Sequence, residues 1–314
     1  MTEPTLLLTH TVPPETSEQL LDALRAELPA ADLLSAATPG ETAERLPAAD
    51  ALITGRLDAD LLDDAEIEWV QALSAGTDSY PQETLAERGI ALTSAAGVHA
   101  EPIGEQVLGG MLAFERGFLD AMRQKERGSW ERIEGGELQG KTLGVVGLGA
   151  IGSRVAELGS AFGMAVLGTK RDPSTAPDAV DECFGPEGYT DLCRRVDYLV
   201  LACPLTEETE GLIGADELRL LDGDAVLVNV ARGAVVDEDA LVRALQYGWI
   251  RGAVLDVFQT EPLPADSPLW TLSNVLLTPH MAGSTPKKAE RWAEIIGENY
   301  RRFGTDEPLR NRVR

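Results

Sequence analysis

The chain of 314 residues is poor in lysine, histidine and cysteine, and it has no long uncharged apolar run. Each shortage excludes something. Cys183, Cys193 and Cys203 are odd in number and show no C-x-x-C spacing, so neither a disulfide framework nor a zinc site is expected, only small buried thiols in a reducing compartment. No apolar stretch approaches the roughly 20 residues needed to cross a bilayer. The first ten residues, MTEPTLLLTH, lack the basic region and cleavage pattern of a secretory leader, which gives the expectation of a cytoplasmic protein. Lysine is confined to Lys125, Lys141, Lys170, Lys287 and Lys288, and 27 basic side chains face 52 acidic ones, a formal net charge of −25. A field of that sign repels phosphate and so argues against nucleic acid and anionic membranes as partners. An acidic, lysine-poor chain with ordinary core strands points to a high-salt cytoplasm, where screening removes the self-repulsion.

What is present is the composition of a globular protein, 44% hydrophobic and long enough for about two domains. Apolar runs at residues 5–9, 51–54, 69–73 and 90–93 read as strands, with helices expected at 15–27, where Leu20, Leu21 and Leu24 face inward, and at 57–64. Alternating strands and helices with short connections mean a parallel sheet covered on both faces. Residues 98–127 read as one long helix whose apolar face carries Ile103, Val107, Leu108, Met111, Leu112 and Phe114. Its Gly104, Gly109 and Gly110 allow close approach of another backbone, and it offers a face for a subunit contact. A final helix at 286–302 is expected to return to the first domain. The expected division is therefore 1–98 plus 285–314 as one domain, with 99–284 as the other.

The second domain is organised around Gly140–Pro173. Thr142–Val146 is a strand that runs directly into Gly147-Leu148-Gly149-Ala150-Ile151-Gly152, a G-x-G-x-x-G spacing, and a helix with Ile151, Val155, Leu158 and Phe162 on one face should follow. Gly147 permits the tight turn, Gly149 lets a pyrophosphate approach the backbone, and Gly152 lets helix and strand pack closely. Ala150 and Ile151 open the helix whose N-terminus receives the phosphate charge. Taken alone, the same glycines also suit a βα corner that needs small residues for packing. Further strands are expected at 198–202, 225–230, 252–257 and 275–277, and the residues just past their C-terminal ends are the ones to read for chemistry.

Of three histidines, only His280 follows one of those strands; His99, ahead of the long helix, suits pocket lining better than catalysis. Arg232, flanked by Gly233 at another strand end, can grip a carboxylate by two hydrogen bonds. Glu261 lies in the loop Thr260-Glu261-Pro262-Leu263-Pro264, where a carboxylate near an imidazole fixes its tautomer and keeps it protonated. Taken singly, a surface ion pair, a loop acid and a capping histidine remain open readings of these three residues.

The segments GLGAIG, PLTEET, VNVARGAVVDEDAL, GAVLDVFQTEPLP and LLTPHMAG, in this order, resemble the D-2-hydroxyacid dehydrogenase family, glyoxylate/hydroxypyruvate reductases included. SAGTDSY and GVHAEPIGEQVLGGMLAFERG extend the resemblance into the first domain and the linking helix. It implies an α/β protein of two doubly wound parallel-sheet domains, a Rossmann coenzyme domain and a flavodoxin-like substrate domain with a cleft between them, usually dimeric. It implies Arg232, Glu261 and His280 as the catalytic set, with Ser74 and the backbone amides of Ala75 and Gly76 holding the substrate carboxylate beside Arg232. Pro204, Thr209 and Ala231 fall on the cofactor side, and Asp256 is implied at the nicotinamide carboxamide. The implied reaction is reduction of a 2-keto acid by NAD(P)H, without a metal. Formate- or phosphite-type dehydrogenases and a nicotinamide-sensing corepressor are the alternatives of the same fold.

One stretch departs from the commonest pattern. Where an acid that binds the ribose 2′-hydroxyl ends the second strand of NAD-preferring sites, this chain has Thr169-Lys170-Arg171. Two cations suit a 2′-phosphate, so NADP(H) is favoured and NAD(H) possible; Asp172 comes after the turn has begun. The substrate pocket is expected to draw on Arg56, Leu57, Ser74 to Thr77, His99 and Trp130.

Overall fold

Short runs of valine, leucine and isoleucine with no polar alternation can be buried on both faces only in a parallel sheet, and the computed structural model places them in two such sheets. It describes residues 4–62, 65–77, 79–305 and 307–313. Asp78 of SAGTDSY and the end of the helix expected at 57–64 lie outside those residues. The chain divides into one unit of Met1–Val98 with Thr285–Arg314 and another of His99–Ser284.

In the first unit, β1 (Thr5–Leu8), β2 (Asp32–Ser35), β3 (Ala51–Thr54), β4 (Trp69–Ala72) and β5 (Ala91–Thr93) form a parallel sheet in the order β2-β1-β3-β4-β5. The side-chain period of two separates its two cores. Leu6, Leu8, Ala51 and Ile53 pack on one face, and Leu7, Leu52 and Val70 on the other. Each fully buried Leu, Ile or Val contributes roughly 1.5–3 kcal/mol. Helices α1 (Pro14–Glu27), α2 (Pro39–Arg45) and α3 (Gln82–Glu87) cover the sheet. α1 starts on Pro14, where a missing N–H costs nothing, and buries Leu20 and Leu24. The helix expected at 57–64 is a 3-10 turn over Ala59–Leu62.

The second unit opens with α4 (Ala100–Glu115) and α5 (Phe118–Arg127). The single helix expected over 98–127 is thus two. Gly117 breaks it with φ 67°, and a Cβ there would come within 2.4 Å of Ile133. There follow β6 (Thr142–Val146), α6 (Ala150–Ala161), β7 (Ala165–Thr169), β8 (Glu182–Phe184), α7 (Tyr189–Cys193), β9 (Tyr198–Leu201), α8 (Ala215–Leu220), β10 (Val226–Asn229), α9 (Glu238–Gln246), β11 (Gly252–Leu255) and β12 (Val275–Leu277). Their parallel order is β12-β11-β10-β9-β6-β7-β8, so the winding reverses between β6 and β9, where ligands of such sheets bind at the strand C-terminal ends. Gly104 lets Leu158 and Arg154 of α6 approach, and Gly110 lets Val254 of β11 approach, whereas Gly109 faces open space. Phe162, expected on the buried face of α6, instead caps its C-terminus and is 43% exposed, because the chain turns away at Gly163.

The chain then returns to the first unit with α10 (Lys288–Arg302), which buries Trp292, Ile295 and Ile296 against Leu20 and Leu24 of α1. The last residues close the open edge of β5, with Arg312 bridged antiparallel to Thr93. Burial pushes the thiols of Cys193 and Cys203 up to about 12 and about 11, so neither ionises at neutral pH. Among the described residues no helix is long and apolar enough to cross a membrane.

Candidate active site

The turn between β6 and α6 is shaped by what its glycines leave out. Gly147 adopts φ 95°, and a Cβ on it would sit 2.7 Å from the Cα of Cys203. A Cβ on Gly152 would sit 2.1 Å from the carbonyl oxygen of Gly147. Gly149 is different, since nothing lies within 4 Å of where its Cβ would be. Gly147 and Gly152 are therefore required by the protein's own packing, and Gly149 leaves bare backbone at the N-terminus of α6, as a pyrophosphate needs. Ala150 and Ile151 form the first turn of α6 behind it. The buried Thr169 at the end of β7 holds the turn, accepting the N–H of Gly147 on its hydroxyl (3.2 Å) and that of Leu148 on its carbonyl (2.9 Å).

A cavity of about 580 Å³ opens beside this turn, walled among others by Gly147, Thr169, Lys170, Arg171, Pro204 and Thr209. Lys170 donates from its ammonium to the Thr175 carbonyl (2.7 Å), while Arg171 is exposed. The Asp172 carboxylate turns away to accept from Ser174 N–H and Oγ; these bonds, with the nearby Lys170 charge, hold its carboxyl below the ordinary range. Thr209 shapes the rim, donating to the Pro204 carbonyl (2.6 Å) and accepting Thr206 N–H (2.8 Å).

At the C-terminal ends of β10, β11 and β12 the remaining groups converge. His280 Nδ1 donates to Glu261 Oε2 at 2.7 Å, and Glu261 Oε1 accepts the N–H of Phe258 at 3.0 Å. Burial pushes the Glu261 carboxyl up, but the bonds from His280 and Phe258 and the charges of His280 and Arg232 outweigh it and hold the carboxyl below its usual range. With Nδ1 so engaged, Nε2 is the nitrogen left to meet a substrate. An apolar hollow of about 680 Å³, lined by Phe258, Leu263, Trp270, Leu277 and Pro279, adjoins the pair.

Arg232 is carried toward Glu261 by a close loop contact. Ala231 is buried, and a Cβ on Gly233 would fall 1.9 Å from the Phe258 carbonyl carbon, so only glycine fits where the loops after β10 and β11 meet. Buried Asn229 fixes the loop by accepting Ala231 N–H and donating to the Arg232 carbonyl, both at 3.0 Å. The exposed guanidinium bonds its own loop at the Ala231 carbonyl (2.7 Å). Asp256 is 3% exposed, and both its oxygens face the protein: Oδ1 accepts from Thr278 Oγ1, Met281 N–H and Gln106 Nε2, and Oδ2 from Ala282 N–H.

A family model described as "D-isomer specific 2-hydroxyacid dehydrogenase, NAD binding domain" matches residues 108–282, more than half of the chain. The chain belongs to this family. A glyoxylate reductase of Aeropyrum pernix is 40% identical to it over 260 residues, which cover 79% of this chain and 77% of that protein. A glyoxylate/hydroxypyruvate reductase B of Yersinia pestis is 34% identical over 308 residues, 95% of this chain and 93% of the other. A D-isomer specific 2-hydroxyacid dehydrogenase from Xanthobacter autotrophicus Py2, solved with NADPH and MES, has a TM-score of 0.85 at 30% identity, covering 100% of this chain and 98% of that one.

As a D-isomer specific 2-hydroxyacid dehydrogenase, the protein is an NAD(P)-dependent oxidoreductase that interconverts 2-keto and 2-hydroxy acids. Membership favours that reaction over the formate- or phosphite-type and corepressor-like readings. The structure joins Glu261 and His280 directly within the second unit, and the charge of Arg232 acts on Glu261 from the neighbouring loop. Ser74, Ala75 and Gly76 follow β4 in the first unit, where Ser74 Oγ donates to the Gly76 carbonyl (2.6 Å). Arg56, also in the first unit, is paired with Asp58; His99 Nδ1 lies 3.0 Å from the Gly283 carbonyl; Trp130 is 98% exposed. Sequence reasoning missed Asn229 and Gln106. A buried amide closing a strand was a usable signal for the first, and nothing local marked the second.

Proposed function

We propose that the protein reduces small 2-keto acids of the glyoxylate and hydroxypyruvate class to D-2-hydroxy acids, with NADPH as the preferred donor. The observation that carries this reading is the His280–Glu261 pair at 2.7 Å, close to Arg232. A nicotinamide cofactor held at the Gly147–Gly152 turn would supply the hydride for the carbonyl carbon. Arg232 orients the keto acid by its carboxylate. Protonated His280 gives the Nε2 proton to the oxygen as it becomes an alkoxide, and Glu261 stabilises the imidazolium before that transfer. In the reverse direction neutral His280 takes the hydroxyl proton. Positioned proton transfer of this kind supplies about 10²–10⁴ in rate.

The NADPH preference rests on Thr169, Lys170 and Arg171 at the cavity mouth, on the diversion of Asp172 to Ser174, and on the NADPH held by the Xanthobacter relative. Gly147, Gly149, Ala150, Ile151 and Gly152 take the pyrophosphate, with Pro204, Thr209 and Ala231 along the remaining wall. Asp256 supports the nicotinamide end through the loop it holds. The substrate domain is 1–98 with 285–314, and the coenzyme domain is 99–284. A cytoplasmic homodimer is part of the proposal; exposed Phe118, Met122 and Trp130, within thirteen residues of α5 and its exit, supply the apolar contact.

The test is cofactor oxidation at 340 nm in molar salt with glyoxylate, hydroxypyruvate, pyruvate and longer keto acids. Turnover with glyoxylate or hydroxypyruvate is expected, with kcat/KM roughly 10- to 100-fold higher for NADPH than for NADH, the worth of a charge-assisted phosphate contact. Equal use of both cofactors would remove the NADPH assignment, and no turnover of any keto acid would overturn the reading.

A further inference from the structure

The loop that carries His280 is folded around one carboxylate. Asp256 accepts His280 N–H on its backbone carbonyl (2.8 Å), Thr278 Oγ1 (2.6 Å) and Met281 N–H (2.9 Å) on Oδ1, and Ala282 N–H (2.9 Å) on Oδ2. His280 itself adopts φ 48°, a left-handed conformation that a residue with a Cβ keeps only where its surroundings impose it. Among the described residues no cation pairs with this buried carboxylate, so its charge is balanced by neutral N–H and O–H donors, each of which matters more for that reason.

One donor comes from another element. Gln106, on α4, places Nε2 2.8 Å from Thr278 Oγ1 and 3.3 Å from Asp256 Oδ1. The direction of these bonds follows from proton counting. An ionised carboxylate only accepts, so the single Thr278 hydroxyl proton goes to Asp256, and Thr278 must accept from Gln106. The opposite amide orientation would set a carbonyl oxygen against the carboxylate, so the network also fixes the Gln106 rotamer.

We propose that Gln106 is a positioning residue for the imidazole of His280, acting through Thr278 and Asp256. The proposal rests on the reading of His280 as proton donor. Gln106 ties α4, anchored through Gly110 on Val254, to the turn that aims His280 at Glu261. Without its N–H, Thr278 Oγ1 loses its donor and the loop its link to α4. The imidazole then samples orientations in which Nε2 no longer meets the substrate oxygen. The loss falls on proton transfer and leaves the phosphate turn at Gly147 untouched.

The experiment compares Gln106→Leu, Thr278→Val and Thr278→Ser with the unaltered protein, using glyoxylate and NADPH, with His280→Asn as reference. Gln106→Leu and Thr278→Val are expected to lower kcat about tenfold. The KM for NADPH should stay within about twofold. Thr278→Ser, which keeps the hydroxyl, should recover most of what Thr278→Val loses, and the double variant Gln106→Leu/Thr278→Val should lose little more than either single one. Unchanged kcat in Gln106→Leu, or a Thr278→Ser enzyme as slow as Thr278→Val, would overturn the proposal while an inactive His280→Asn left the proton-donor reading standing. Full turnover by His280→Asn would overturn both.

Discussion

At the scale of residues, the His280–Glu261 contact makes a statement about pH. The Glu261 carboxyl lies below its ordinary value of 4.5 in the folded protein, so the stability this carboxylate contributes is fully present above about 4.5 and is lost as pH falls through the lower folded value. Glu261→Gln cannot titrate. The difference in Tm between the unaltered protein and this variant should therefore be full near about pH 7 and shrink below about pH 4.5, which calorimetry at constant salt will read; a difference independent of pH would show that the carboxylate is not stabilised by its partners. The same variant should slow keto-acid reduction by about 10²-fold, since an amide does not stabilise imidazolium. Arg171 offers a second residue-scale test. Lys170 is bonded to Thr175, so the exposed Arg171 is the cation more available to a 2′-phosphate, and Arg171→Ala should raise the KM for NADPH roughly tenfold while leaving that for NADH unchanged.

At the scale of elements, the β6–α6 turn separates what folding needs from what binding needs. Gly152→Ala drives a methyl group to 2.1 Å from the Gly147 carbonyl and should cost about 2–4 kcal/mol or prevent folding. Gly149 has φ −81°, open to alanine, and empty space where the methyl would go. Gly149→Ala should leave the urea midpoint nearly unchanged while weakening NADPH binding at least tenfold, read by fluorescence titration. If both substitutions destabilised equally, the turn would be a packing corner and nothing more. This turn was legible in the sequence because strand, glycines and helix are contiguous. The strands β2 and β8 were not: DLLS and ECF are short, partly exposed edge strands whose apolar residues are too few to stand out. The break at Gly117 was hidden because a helical pattern resumes at once in α5. The bonds of Gln106 were out of reach for another reason, since they join residues 150 and 172 positions apart, which no local pattern records.

At the scale of the whole molecule, charge opposes the fold. With 52 acidic and 27 basic side chains, even complete pairing leaves 25 carboxylates without a cation of their own. Many of the ion pairs that do form are exposed contacts within a single helix or its flank, such as Arg25–Asp22 and Arg123–Asp120, and such pairs contribute about 0–1 kcal/mol each. Salt acts on these two contributions with opposite signs. It weakens the few exposed attractions and also the many repulsions, and at this charge imbalance the repulsions dominate. The screening length falls from about 10 Å at 0.1 M to about 3 Å at 1 M, so over that range repulsion between neighbouring surface acids is largely removed. The Tm should therefore climb steadily as KCl rises through that range, and refolding yield should follow it. A Tm that stays flat or falls with KCl would mean that exposed ion pairs outweigh self-repulsion, and the acidic surface would then need an explanation other than a salt-rich cytoplasm.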